Sequence, residues 1–141
     1  HLFMPESAYD MRALPSTREL ACHAVVWLVV QEVSFFYAHR YIHTNKRLYQ
    51  AIHKIHHSWT SPVSITAIYC HPLEHLFVNV LTLILGPLLC GSHAAAVSVF
   101  LILALVHTTG VHSGYWLGDD HGMHDEHHRA FDANYGVVGI M

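Results

Sequence analysis

The chain has 141 residues, enough for one domain with a core of its own. Hydrophobic residues make up 52% and charged residues only 12%, where soluble domains carry roughly 25% charged, so the composition points to a membrane. A net charge of −3 leaves no basic footprint for nucleic acid. Cys22, Cys70 and Cys90 are odd in number and form no Cys-x-x-Cys, which gives neither a disulfide framework nor a thiolate metal site and suits a reducing, cytosol-facing compartment.

In chain order, residues 1–18, with Pro5 and Pro15, read as an irregular lead-in. They lack the positive start and apolar run of a signal peptide. The first residue is His1 and the last stretch is "GVVGIM", so the sequence is expected to be part of a longer protein, cut at both ends. From Arg18 to His39 an apolar stretch without Pro or Gly predicts a helix able to reach across much of a ~30 Å bilayer core. Gln31 and Glu32 interrupt it and are expected to face protein. Residues 40–60 are polar and basic, and a loop or short helix with Pro62 and Pro72 follows. Two apolar runs, 76–90 and 94–111, are separated by "GSH". They predict a helical hairpin that returns to its starting side, the first run kinked or ended at Gly86-Pro87 and short enough for partial insertion. No Lys or Arg occurs between Lys54 and Arg129, and most basic residues flank the histidine clusters. The positive-inside tendency makes that face cytosolic.

Sixteen histidines are the second anomaly. "HRYIH" sets His39 and His43 at i, i+4; "HKIHH" sets His53, His56 and His57 at i, i+3, i+4; "HPLEH" sets His71 and His75 at i, i+4; "HDEHH" sets His124, His127 and His128 at i, i+3, i+4. On a helix such neighbours share a face, so each triplet can reach one ion or straddle two. Imidazole suits zinc, copper, iron or nickel. The eight histidines of the first, second and fourth clusters exceed the needs of one ion, and two adjacent metals are the economical reading. "HPLEH" is not the zinc-protease pattern, since Pro72 fills the slot of its Glu; a helix start at Pro72 is the plain alternative. Glu74, Asp125 and Glu126 sit inside histidine motifs and can orient imidazoles. Isolated histidines such as His23 and His93 read as packed residues. A redox pair of irons suits an unreactive hydrocarbon better than redox-inert zinc does.

The motifs "EVSFFYAHRYIH", "YQAIHKIHHSWTSP", "YCHPLEH", "VHSGY" and "HDEHHRAFDANYGVVG" resemble the fatty acid hydroxylase superfamily of membrane di-iron oxygenases, which includes methylsterol monooxygenases and sterol desaturases. The likeness covers most of the chain, with residues 19–141 as the hydroxylase-like domain. It implies an all-α integral membrane bundle with a cytosol-facing histidine-rich di-metal site, in the endoplasmic reticulum membrane. It implies two non-haem irons, O2 as cosubstrate, and electrons from NAD(P)H through cytochrome b5 or a reductase. Carried over by position, His39, His43, His53, His56, His57, His124, His127 and His128 match the ligand boxes, and His112 matches a further ligand position. Some relatives place another histidine where this chain has Trp116. His121, His107 or His75 then substitutes, with His71 and Glu74 as further ligands or supports, or the coordination is one short. The implied reaction removes hydrogen from a lipid C–H, a sterol C4-methyl or a fatty-acyl carbon, and ends in hydroxylation or desaturation. Trp59, Tyr69, Tyr115 and Trp116 are candidates to line the substrate slot, although aromatics at a membrane surface also serve as anchors. Asn134 and Tyr135 are placed to brace the last box. The rival readings are a membrane metal transporter or store and a relative that keeps the fold without the reaction.

Overall fold

The computed structural model describes residues 5–115 and 122–137, and the described residues are helical with no strand. Five helices follow in chain order: α1 (Thr17–Thr44), α2 (Lys46–Ala51), α3 (Pro72–Cys90), α4 (Ala94–Val111) and α5 (Met123–Ala130). Short 3₁₀ turns occupy Glu6–Tyr9, His53–Ser58 and Ser64–Ile68. Three helices, α1, α3 and α4, are long and apolar enough to cross a membrane, at about 42, 28 and 27 Å by their rise.

Local chemistry sets the helix ends. The Ser16 hydroxyl accepts the Glu19 N–H at 3.2 Å and starts α1, with the Glu19 carboxylate in the positive first turn. Helix α1 runs five residues beyond its predicted end at His39, because residues 40–44 contain nothing that breaks a helix; it closes at Asn45, whose side chain caps α2. His71 accepts the Leu73 N–H and Pro72 occupies the first turn of α3, as expected of a helix start. The start at Pro72 adds four residues to the predicted apolar run. This corrects the expectation of partial insertion, since 19 residues suffice to span. A π-helical stretch, His75–Val80, follows Glu74 directly. The break expected at Gly86-Pro87 is also corrected. The helix continues to Cys90 and ends at Gly91, whose φ of 58° is a left-handed cap that glycine adopts without strain.

Helix α3 lies along α1, and the two backbones approach most closely at Gly86. A Cβ there would stand 2.7 Å from Trp27 Cα, so only glycine fits. At the same end the Trp27 indole donates to Ser92 Oγ at 3.0 Å, and His23 meets the same hydroxyl. His93 accepts the Ala95 N–H and donates to the Asp10 carbonyl, so both isolated histidines are structural. Helix α4 then returns, and its last residues meet the start of α3 at the opposite end, where the histidines gather.

Burial is inverted relative to a soluble domain. The buried apolar side chains are Ala8, Trp27, Ile42, Ala67 and Val78, whereas the buried polar ones include seven histidines of the motifs, Glu32 and Glu74. No residue of α4 is buried, and Val99, Ile102, Leu103, Leu105 and Val106 stand fully on its surface. An apolar exterior around a polar interior is what a lipid solvent requires. Glu32 is buried as expected and accepts the Val137 N–H at 2.8 Å, while Gln31 is half-buried on a cavity wall.

Candidate metal centre

The histidines form two groups among the described residues. His39, His43, His53, His57 and His127 make the first; His56, His112, His124 and His128 make the second; within each, one nitrogen from every ring lies within 4.8 Å of the others. The triplets are shared crosswise. In both, the i and i+4 rings (His53 and His57, His124 and His128) enter one group and the i+3 ring (His56, His127) enters the other. Each triplet therefore spans both groups. His53–Ser58 is a 3₁₀ turn, not the α-helix its spacing suggests, and α5 is a single short α-helix of two turns. The first triplet thus differs from the second in local backbone yet divides in the same way.

The partners behind the rings decide their chemistry. The Nδ1 atoms of His39, His112, His127 and His128 face the backbone carbonyls of Tyr135, Thr108, Ala133 and Trp59 at 3.0, 2.7, 2.7 and 3.0 Å, and His56 Nδ1 faces that of Tyr69 at 3.4 Å. A carbonyl only accepts, so each Nδ1 carries the hydrogen and each Nε2 of the neutral ring keeps a bare lone pair. His53 Nδ1 lies 2.8 Å from the buried Glu74 carboxylate. The Nε2 atoms of the two groups converge on one another. His39 and His53 meet through Nε2 at 3.2 Å, and His43 Nε2 lies 2.7 Å from His53 and 3.1 Å from His57. In the second group His124 Nε2 meets His112 at 2.8 Å and His128 at 3.1 Å. One ring nitrogen carries at most one hydrogen, so at least one of those two contacts sets lone pair against lone pair. His127 Nε2 is buried with no hydrogen-bond partner.

Such convergence fits a cation at its centre. Two nitrogens bound to one ion at ~2.1 Å and at right angles to each other lie ~3.0 Å apart, which matches the observed 2.7–3.2 Å. The all-nitrogen donor set suits iron or another imidazole-loving transition metal, with the carbonyls and Glu74 fixing ring orientation from behind.

Burial keeps these rings neutral. It is the largest cause holding His56 down at about 3 and His127 and His128 at about 4, and it also lowers His53, His57 and His124, with the neighbouring imidazoles adding to the effect. From the ordinary value of 6.5 down to about 3, the unfolded chain takes up protons that the folded site refuses. The stability contributed by the site is therefore complete above about pH 6.5 and falls on acidification below it. Thermal stability followed from pH 8 to 3.5 should be flat above 6.5 and drop below; an unchanged midpoint at pH 3.5 would contradict the burial of these rings as neutral imidazoles.

The other predicted site residues fall elsewhere. Glu74 supports His53 and is the partner that the sequence left undecided between ligand and support. Glu126 forks onto exposed Arg129 and does not orient a histidine, because it points away from the rings across the solvent side of α5. His71 is a helix cap, and His75 and His107 line a cavity but belong to neither group. Trp116 and His121 lie outside the described residues. Trp59, Tyr69 and Tyr115 are 45%, 55% and 75% exposed, and the first two offer backbone carbonyls to His128 and His56. Asn134 donates to the Met123 carbonyl and Tyr135 packs its ring on His43 and His127, bracing the last motif. The cavity beside the second group, about 170 Å³, is walled by Phe35, Leu83, Leu101 and Val111 together with five of the nine histidines. None of these apolar positions carried a sequence signal beyond spanning-helix character.

The fatty acid hydroxylase family model matches residues 24–141. The chain belongs to the fatty acid hydroxylase family. Human fatty acid hydroxylase domain-containing protein 2 is 39% identical over 132 residues, covering 92% of this chain and 39% of that protein. Methylsterol monooxygenase 2-2 of Arabidopsis thaliana is 32% identical over 126 residues, covering 82% and 47%. Very-long-chain aldehyde decarbonylase GL1-11 of rice (Oryza sativa subsp. indica) is 32% identical over 133 residues, covering 87% and 49%. The chain thus spans less than half the length of these fatty acid hydroxylase relatives. No solved structure matches it.

Proposed function

We propose that the chain is the catalytic core of a membrane di-iron oxygenase that oxidises a lipid C–H, foremost a sterol C4-methyl, with a fatty-acyl carbon as the alternative. His39, His43, His53, His57 and His127 hold one iron and His56, His112, His124 and His128 the other. The observation that carries this reading is the convergence of Nε2 atoms at two adjacent points, five of the rings held with Nε2 bare by a carbonyl at Nδ1. Iron bound by these nitrogens supplies the reduction and activation of O2, with electrons from NAD(P)H through cytochrome b5 or a reductase.

The chain's own residues do the remaining work. Glu74 and the five carbonyls aim the rings, which keeps the ligand set from rearranging when the charge at the centre changes. The apolar cavity wall excludes water and presents a hydrocarbon next to the second group. Hydroxylation and desaturation share the first loss of hydrogen, and the position of the lipid in that cavity decides between them. The run of basic residues beside the histidine end supports a cytosolic site in the endoplasmic reticulum membrane.

Full-length protein purified with iron, given a 4-methylsterol or a fatty-acyl lipid with NADPH, cytochrome b5 and its reductase under ¹⁸O2, should yield labelled hydroxylated or unlabelled desaturated product, and none after iron removal. Full iron loading with no turnover of either lipid, or metal flux across proteoliposomes without O2 use, would overturn the reading.

A further inference from the structure

A second cavity of about 680 Å³ opens beside the first and is walled chiefly by apolar groups such as Leu20, Trp27, Leu28, Phe100 and Leu103. Gln31, Ala104, His107, Thr108 and Val137 belong to the walls of both cavities and so form the waist between them. Three of these five are polar. Gln31 lies mid-way along α1, and His107 and Thr108 lie in the last turns of α4; all three are half-buried. No side-chain hydrogen bond joins the Gln31 amide, the His107 imidazole or the Thr108 hydroxyl to any described residue. His107 belongs to neither histidine group. Polar groups inside a spanning helix are costly when unpaired and mark a functional contact. The waist also sits near the metal centre: Thr108 is about one turn from His112 along α4, and Gln31 about two turns from His39 along α1.

We propose that Gln31, His107 and Thr108 form a hydrogen-bonding subsite for one polar group, a hydroxyl or carbonyl, on an otherwise apolar lipid whose body fills the larger cavity. The lipid then lies across the waist, with a C–H on the metal side of its polar group at the second histidine group. Amide, imidazole and hydroxyl each donate and accept, so the subsite takes either group, and a lipid lacking it leaves three half-buried polar side chains without that partner. The subsite thereby selects polar-tagged lipids over plain hydrocarbons. This rests on reading the histidine groups as an oxygenase centre, but it concerns binding and is tested as binding.

Equilibrium binding to iron-loaded full-length protein in nanodiscs is measured for two matched pairs: a 4-methylsterol with and without its 3-hydroxyl, and octadecanol with octadecane. The wild type should prefer the hydroxyl-bearing member of one pair by about tenfold, equivalent to about 1.4 kcal/mol; the pair that shows it tells sterol from acyl source. Gln31→Leu/His107→Leu should abolish the preference at unchanged iron content. Thr108→Val keeps shape and the carbonyl facing His112, and should lower the preference severalfold even where the double variant fails to fold. No preference in either pair, or one that survives in these variants, overturns the subsite. A preference present in the wild type and lost in the variants, together with full iron loading and no turnover of the preferred lipid, leaves the subsite standing and sinks the oxygenase reading instead.

Discussion

His127→Ala protein is expected to hold one iron where the wild type holds two, and His56→Ala protein likewise, each losing the ion of a different group. His127 is the ring that α5 sends into the first group, and His56 is the ring that the 3₁₀ turn sends into the second. Removing either takes away one of five or one of four converging nitrogens and leaves the others facing a gap. On the proposed two-iron reading oxidation uses both ions, so either change should cost at least ~10³-fold in turnover, or about 4 kcal/mol of barrier. Neither residue lies in α1, α3 or α4, so membrane insertion should be unchanged, as checked by alkaline extraction. Metal analysis decides the matter: two irons per chain in either variant would remove that residue from the ligand set.

The second large effect is expected at the far end of the bundle. Gly86→Ala places a methyl 2.7 Å from Trp27 Cα and 3.3 Å from the indole ring. The nearest atom is backbone, so no side-chain rotation relieves it and α1 must move away from α3. Overpacking of this kind costs about 1–3 kcal/mol. The shift also pulls on the Trp27–Ser92 hydrogen bond. Because α1 carries His39 and His43 and α3 carries Glu74, the separation should reach the metal centre as a lowered iron occupancy. Thermal unfolding in detergent should fall by several degrees; an unchanged midpoint would show that the helices part freely there.

Much of the centre was legible in the linear chain. The repeated His-x-x-His-His spacing marked two three-ring clusters, and the excess of imidazole over one ion's needs called for two sites. The spans followed from apolar runs, with α1 and α3 both longer than predicted because Arg40–Thr44 and Pro72–His75 tolerate a helix while lacking apolar character. What stayed hidden depends on backbone and on distant contact. A carbonyl is the same on every residue, so nothing in Trp59, Tyr69, Thr108 or Ala133 announces that its oxygen holds a ring. Nor can spacing reveal that His56 and His127 cross over, since this follows from how the 3₁₀ turn faces α5. Glu74 is twenty-one positions from His53, and its role as that ring's partner appears only when α3 is packed in place.

The segment after α5 has one more consequence. Residues 131–137 turn at Phe131 and Asn134 through left-handed backbone, then give His39 its carbonyl partner and Glu32 its N–H. Rings encoded early in the chain thus await companions encoded almost a hundred residues later. On a ribosome the N-terminal spans enter the bilayer while the far motif is still unmade. A nascent chain stalled before Gly122 would sit in the membrane with four of the five rings of the first group but only two of the four of the second, so the second group is the last to be completed.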